Sequence, residues 1–181
     1  MLFPILTIVV VGIVSAFTSN YHPRWNFNWN TIRPEIKDSI APYEFKYLTN
    51  GVGAMGSSTQ NEVDRRRWIM SNATESELLK LTTYPNGTIK AIAYEGLLRK
   101  EEFRAKTELT VKAIQDTTYK VFFLSGCEAW EREIGAYLMQ DVLILDDQIP
   151  PLRSKYLANI DLSDSDKNLI LSEYIKFTTN F

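Results

Sequence analysis

The segment at residues 74–99 reads TESELLKLTTYPNGTIKAIAYEGLLR, which predicts two short helices joined by a Pro-Asn-Gly turn. Thr74 and Glu77 have the spacing of a capping box just ahead of a run of leucines. In the second helix, apolar residues form two stripes on nearly opposite faces: Ile89, Ile92, Ala93, Gly96 and Leu97 on one, and Ala91, Tyr94 and Leu98 on the other. Both faces must therefore be covered, which predicts an inner helix of a helical stack.

A second part of the chain repeats this pattern 45 residues later. Three pairs of residues are identical at this spacing: Ile89 and Ile134, Ala91 and Ala136, and Leu98 and Leu143. A period near 45 with two or three helices per unit falls within the range of about 40–47 residues for HEAT and armadillo repeats. The chain therefore resembles that superfamily over about residues 57–145. The resemblance implies an all-α fold: a short HEAT/armadillo-like helical stack with an irregular N-terminal arm and a C-terminal capping helix.

The second unit departs from the first because residues 129–133 stand where the first unit has its Pro-Asn-Gly turn. An irregular helical bundle whose two core helices share a pattern is the alternative architecture. The same patterning predicts helices at residues 57–70, 75–83, 88–99, 101–115, 118–127, 131–145 and 164–177. Ser163 and Asp166 have the spacing of an N-cap and its partner for the last of these helices.

The chain divides into three parts by composition: residues 1–16, 17–56 and 57–181. The last part is the helical repeat-like domain. In the middle part, prolines discourage long helices, and the alternating rings of Trp25, Phe27 and Trp29 predict an extended arm that packs on the helical body. Glycines at positions 51, 53 and 56 predict a flexible hinge ahead of the first helix.

The first part is almost continuously apolar, and Val14-Ser15-Ala16 has the small-residue pattern of a signal-peptidase site. We expect a signal peptide and a mature chain that begins near Phe17, exported to a periplasmic or extracellular compartment. An uncleaved membrane anchor is the second interpretation, and a buried core helix is the third. With one cysteine in the chain, no internal disulfide can form, so stability must come from packing.

The overall charge argues against nucleic acid as a partner. The 20 Lys and Arg residues against 22 Asp and Glu residues give a net charge of -2, so no global field attracts DNA, RNA or an anionic membrane. We expect contact with a membrane only if the N-terminal segment is uncleaved.

Candidate catalytic and metal-binding residues are few. The one histidine, His22, lies in the proline-rich arm and is predicted to be solvated, and a single histidine excludes the usual His-rich zinc sites. Cys127 is predicted to be a buried structural cysteine. Acidic residues cluster at Glu128, Glu131 and Glu133, at Asp146 and Asp147, and at Asp161, Asp164 and Asp166. Solvated turns and helix N-termini explain these clusters, so we predict no catalytic residue, metal or cofactor.

The strongest surface candidate is the run Arg65, Arg66, Arg67 and Trp68, which could clamp an acidic segment of a partner. The simpler interpretation is that the arginines only solvate the helix. Asn72 and Asn86 match the pattern of glycosylation acceptors.

These observations predict a non-enzymatic, exported protein-interaction or scaffold module that holds a protein or peptide on its helical surface. A carboxylate-based hydrolase of envelope or extracellular polymers is one alternative, and it requires two carboxyl groups that face each other across a cleft. A membrane-tethered subunit of a larger complex is the other.

Overall fold

The computed structural model describes residues 7–12, 15, 26–145 and 160–179, and it is mostly helical with one small sheet. The helices are α1 (Pro34–Ile40), α2 (Gln60–Asn72), α3 (Glu75–Leu81), α4 (Gly87–Arg99), α5 (Lys106–Gln115), α6 (Ile134–Tyr137) and α7 (Asp164–Thr179). Two short 3₁₀ segments occur at Ala41–Glu44 and Ala54–Gly56, and a π-helix at Leu138–Leu143 continues α6. The predicted helices for α2, α3, α4 and α7 are confirmed, with boundaries that differ by up to three residues.

The sheet consists of β1 (Leu48–Thr49), β2 (Lys120–Ser125) and β3 (Glu128–Glu133), in that order. β1 and β2 are parallel, with Leu48 beside Phe123, and β2 and β3 form an antiparallel hairpin with Phe122 opposite Glu131. A parallel pair needs a long crossover connection, and α2 to α5 supply it here. The sheet thus connects the segment that precedes α2 with the segment that follows α5.

The sheet corrects two predicted helices. Residues 118–127 do not form a helix, because Val121 and Phe123 alternate into the core and Gly126, at φ 61°, closes a hairpin. The helix predicted from residue 131 starts instead at Ile134, because the preceding residues belong to β3. Under the 45-residue shift, the counterparts of Leu78 and Leu79 are therefore strand residues, so the helix pair of the first unit is not formed again.

Helix α4 lies at the centre of the molecule, and every residue from its start to Leu98 is buried. Its neighbours include α2, α3, α5, α6 and β2. The prediction of a helix covered on both of its apolar faces is confirmed. Asn86 caps the helix by accepting a hydrogen bond from the Ile89 N–H at 3.1 Å, and Thr88 is fully buried, so this potential glycosylation acceptor already has a structural role.

The arm predicted at residues 17–56 contributes to the same core as the helices. Its described part starts at residue 26 and buries five apolar side chains: Ile32, Ile36, Ile40, Tyr43 and Leu48. Phe27 and Trp29 pack their rings against Tyr84, with centroids 4.7 Å and 5.4 Å from its ring, so the predicted docking of the arm is confirmed for these two residues. Trp25 and His22 lie outside the described residues.

Glu77 joins the arm to α3. The predicted capping box is present, since Thr74 accepts from the Glu77 N–H and the Glu77 carboxylate accepts from the Thr74 N–H at 2.8 Å. The Arg33 guanidinium also donates to both carboxylate oxygens, each at 2.9 Å. Hydrogen bonding from Arg33 lowers the pKa of Glu77 from its ordinary value of 4.5 to about 2.

This shift predicts a loss of stability in acid. Because the folded pKa lies below the unfolded one, the stabilisation is present above about pH 5 and is lost as the pH falls towards 2. We expect Glu77→Gln to cost about 2 kcal/mol at pH 6, a discounted figure because solvent screens the half-exposed Arg33. Urea unfolding of both proteins between pH 6 and pH 2.5 measures this. The difference between them should shrink as the pH falls, and a constant difference would contradict the assignment.

Helix α7 forms a second, smaller core at one end of the molecule. Ile170 packs there with Ile114 of α5 and Met139 of the π-helix. Ser163 caps the helix by accepting from the Asp166 N–H at 3.1 Å, as the sequence predicts.

The described residues of the N-terminal segment are helical and exposed. Ile8, Val9, Val10 and Val11 are all exposed and lie outside both cores. The ends of the proposed cleavage motif, Val14 and Ala16, lie outside the described residues. Within the part of the chain that the structure describes, no helix has the length and apolar content needed to span a membrane.

Candidate functional site

The predicted partner-binding residues on α2 do not share one surface. Arg66 points into the protein with 15% of its side chain exposed, whereas Arg65, Arg67 and Trp68 are about half-exposed on the solvent side. Arg65 lies 3.9 Å from Glu62, and Arg67 has Asp64 at a similar distance within the same helix. These neighbours offset part of the positive charge, so the solvent side of α2 is weakly charged.

Arg66 instead belongs to a buried charge cluster around Glu95 of α4, whose side chain is 4% exposed. Arg99 donates to Glu95 Oε1 from Nε at 2.8 Å and from a terminal nitrogen at 2.6 Å. The Tyr137 hydroxyl donates to Oε2 at 2.8 Å, and Arg66 Nε lies 4.0 Å from the same oxygen. The cluster therefore ties α2, α4 and α6 together.

The electrostatics of this cluster keep Glu95 ionised. Burial by itself raises the pKa of Glu95, but the charges of Arg66 and Arg99 and the hydrogen bonds from Tyr137 and Arg99 outweigh it, so the pKa lies below its ordinary value. Burial and the adjacent Glu95 raise the pKa of Tyr137 well above 10.0. A carboxylate that adjacent cations and hydrogen bonds keep ionised is poorly suited to act as a general acid.

A second carboxylate lies near this cluster, at Asp141 of the π-helix. Arg132 of β3 donates to Asp141 at 2.6 Å and also lies over the ring of Trp130, 5.0 Å from its centroid. Burial raises the pKa of Asp141, and the charge of Arg132 offsets only part of this effect. The ion pair connects the hairpin to the π-helix, so its evident role is structural.

Cys127 is exposed, which corrects the prediction of a buried cysteine. It follows Gly126 in the turn of the hairpin, where the chain reverses at the protein surface. Its sulfur lies 3.5 Å from the Met55 N–H. Among the described residues, no group of three or more His, Cys, Asp or Glu side chains could hold a metal ion.

The sheet carries an exposed apolar surface that the sequence analysis missed. We define the outer patch as Tyr47, Val52, Met55 and Phe122, which are all exposed. Because Val121 and Phe123 face the core, the alternation of β2 turns Phe122 outwards, where it is 42% exposed. The Tyr47 ring packs edge-on against Phe122 with centroids 6.2 Å apart. Reading residues 121–125 as a strand would have predicted this exposure.

The loop between β1 and α2, which carries Val52 and Met55, is attached to the turn of the β2–β3 hairpin. The Val52 carbonyl accepts from the Gly126 N–H at 2.9 Å, and the Asn50 side chain donates to Ser125 at 2.8 Å. The glycines predicted as a hinge therefore lie in a hydrogen-bonded loop that is fastened to the hairpin. Met55 has a φ of 55° and is 98% exposed, so its side chain stands on the surface of this loop.

One exposed acidic side chain, that of Glu131, lies beside Phe122 on the same face of the sheet. Glu131 lies directly opposite Phe122 in the hairpin, and Glu128 lies opposite Ser125 near the turn. Both are exposed, and neither carboxylate has a hydrogen bond or ion pair within the described part of the chain. Because successive residues of a strand alternate between faces, Glu131 shares the face of Phe122, whereas Glu128 shares the face of Ser125 and Phe123.

Comparison of the chain with protein-family models, with curated proteins and with solved structures found no significant match.

Proposed function

We propose that the protein is a non-enzymatic protein-interaction module that binds a protein or peptide partner through the outer patch. The observation that carries this proposal is the exposure of four large apolar side chains on β2 and on the segments that flank β1, with the rings of Tyr47 and Phe122 packed together. Contiguous exposed apolar surface marks interaction sites in soluble proteins. Tyr, Phe and Met are also enriched in such interfaces, while a folded chain gains nothing from exposing them to water.

The helical body serves as a scaffold in this proposal. We retain the description of α2 to α5 as a short HEAT/armadillo-like stack with α7 as its cap, supported by the burial of α4 from Gly87 to Leu98 and the packing of α7 on α5. A rigid core of this kind holds the short strands β1 and β2 in place. The outer patch can then bind without first ordering its own backbone.

The solvent side of α2 remains a second surface for a partner, through Arg65, Arg67 and Trp68. It is favoured less than the outer patch because acidic neighbours offset the arginines and Trp68 is the one large apolar side chain there.

The proposal keeps the exported location predicted from residues 1–16. Its support is that Ile8, Val9, Val10 and Val11 lie outside both cores, so cleavage would remove no core residue described there. If the segment is instead kept as a membrane tether, as in a subunit of a larger complex, the intact mass of the protein still includes residues 1–16.

The carboxylate-based hydrolase is the alternative proposal, and one candidate pair is Glu95 with Asp141, which interact electrostatically. Glu95 is buried and saturated by Arg99 and Tyr137, and Asp141 is engaged by Arg132. A cavity of about 140 Å³ between α5 and α7 lies elsewhere and is lined by one carboxylate, Glu173. These observations favour the binding module.

A photo-crosslinking residue at position 122 tests the proposed function. In cells that make the full chain, we expect a discrete crosslinked adduct from position 122 and none from position 169, because Leu169 is a comparably exposed apolar residue on α7. Met55→Asp in the same chain should reduce the adduct, since it places a charge in the proposed interface. Equal adducts from both positions, or none from position 122, would refute the proposal.

A further inference from the structure

We propose that two copies of this chain associate through strand β3, so that their three-stranded sheets join edge to edge into one continuous sheet. The contact surface is the outer edge of β3, which is separate from the outer patch. The inference therefore goes beyond the proposed function and does not depend on it.

Strand β3 is the last strand on one side of the sheet, and its outer edge is unpaired. The hairpin closes on the pair Ser125 and Glu128 across a two-residue turn, which makes this a hydrogen-bonded pair. Because the two kinds of pair alternate, every second residue from Glu128 directs its backbone groups to β2. The backbone groups of Ala129 and Glu131 therefore point outwards, and they have no hydrogen-bond partner within the described part of the chain.

An unpaired strand edge is a template for another strand, and proteins commonly block such an edge with a bulge or a proline. β3 has neither, since Glu128–Glu133 contains no proline and pairs residue for residue with β2. Four of its six side chains are charged. Charge therefore decides which strand, and in which register, the edge can accept.

The charges of β3 fit a second copy of the same strand in one antiparallel register. When the two Trp130 residues face each other on a twofold axis, Glu128 of each copy lies opposite Arg132 of the other. Ala129 and Glu131 then face each other in both symmetric pairs, and each pair exchanges two backbone hydrogen bonds. An axis at Glu131 or at Arg132 would instead place like charges directly opposite, which is destabilising. An axis at Ala129 would leave that residue as the one outward pair within the strands.

The side chains needed for this register are available. Glu128 is exposed and has no ion-pair partner within the described residues. Arg132 donates to Asp141 through one terminal nitrogen, so the other nitrogens of its guanidinium can donate to a second carboxylate. The twofold axis is perpendicular to the sheet, so Phe122 of both copies lies on the same face. The dimer thus carries two outer patches on one surface.

Sedimentation velocity of the full chain, from about 5 to about 500 µM, measures this association. We expect a monomer–dimer equilibrium. Ala129→Pro removes one outward N–H from each copy and leaves the bonds to β2 intact, so it should weaken the dimer by about 30-fold or more. Glu128→Lys should weaken it by about tenfold, because a like charge then faces Arg132. Phe122→Ser, which changes the outer patch, is the control and should have no effect. Circular dichroism of each variant verifies that it folds.

Cys127 makes the register measurable, because it is exposed and is the one cysteine of the chain. With the axis at Trp130, the two Cys127 residues lie six positions apart along the paired strands, which corresponds to about 20 Å between their Cα atoms. Spin labels attached to Cys127 of the full chain allow pulsed electron paramagnetic resonance to measure this separation. We expect a distance distribution centred between about 15 and 30 Å, which Ala129→Pro should abolish.

Three results would overturn the inference. The first is a chain that stays monomeric over the whole concentration range. The second is a dimer that neither Ala129→Pro nor Glu128→Lys weakens, since the contact would then use another surface. The third is a Cys127 separation above about 35 Å, which no pairing of the two β3 strands produces. Photo-crosslinking at position 122 decides the proposed function separately, because a monomer can still bind a partner through the outer patch.

Discussion

Replacing Glu95 by alanine is expected to lower the free energy of unfolding by about 3–5 kcal/mol, as is typical when one partner of a buried ion pair is removed. Glu95 accepts hydrogen bonds from Arg99 and Tyr137, and its charge also faces Arg66. Without the carboxylate, Arg99 and the Tyr137 hydroxyl would lose their acceptor, and Arg66 would lose the negative charge that faces it. Desolvation of those groups would then be uncompensated.

Chemical unfolding followed by circular dichroism measures this effect. The matched control is Glu131→Ala, which removes an exposed carboxylate and should change the free energy by no more than about 0.5 kcal/mol. Glu95→Gln should fall between the two, because the amide oxygen retains one acceptor but loses the charge. A cost below about 1 kcal/mol for Glu95→Ala would show that the cluster contributes little to folding.

Replacing Gly87 by alanine is expected to cost about 3 kcal/mol, at the upper end of the effects of overpacking. Gly87 is the first residue of α4, where the helix approaches the backbone of β2. An added Cβ would lie 2.2 Å from the Lys120 carbonyl oxygen and 2.4 Å from its carbonyl carbon. Since both atoms belong to the strand backbone, either the helix or the strand must shift.

Gly96→Ala in the same helix is the matched control for this prediction. Its added Cβ would meet Leu78 side-chain atoms at 3.1 Å, and these atoms can move. The higher helix propensity of alanine, worth about 1 kcal/mol in a helix interior, offsets part of that contact. We expect a net change of about 1 kcal/mol or less for Gly96→Ala in thermal and urea unfolding. Equal costs for the two variants would mean that the close approach at Gly87 does not constrain the fold.

The starts of α3 and α7 were predictable from the sequence because capping depends on residues only three positions apart, whereas α5, predicted from residue 101, starts at Lys106 without a side-chain cap. Thr74 with Glu77 and Ser163 with Asp166 form the expected hydrogen bonds. The burial of α4 was predictable for a similar reason, because two apolar stripes on one helix require cover on both sides. In each case the information lies within a few turns of one helix.

The sheet and the candidate site were not predictable in this way. A short apolar run such as residues 121–125 suits a strand or a buried helix, and only its pairing with β1, about 75 residues earlier in the chain, decides between them. The same pairing turns Phe122 outwards beside Tyr47 and places Cys127 in an exposed turn. No local feature of the sequence therefore predicted the outer patch, apart from the alternation of buried and exposed residues along β2.

The sequence by itself determined where α2, α3, α4 and α7 form and that α4 is an inner helix, because periodicity and capping act between residues of one helix. Only the tertiary structure decided that Arg66 faces Glu95 while Arg65 and Arg67 face solvent, since all three lie on one helix and the position of α4 selects among them. It likewise decided which apolar residues remain on the surface. Contacts between residues that are far apart in the sequence set both outcomes, and the path of the backbone decides which residues can make those contacts.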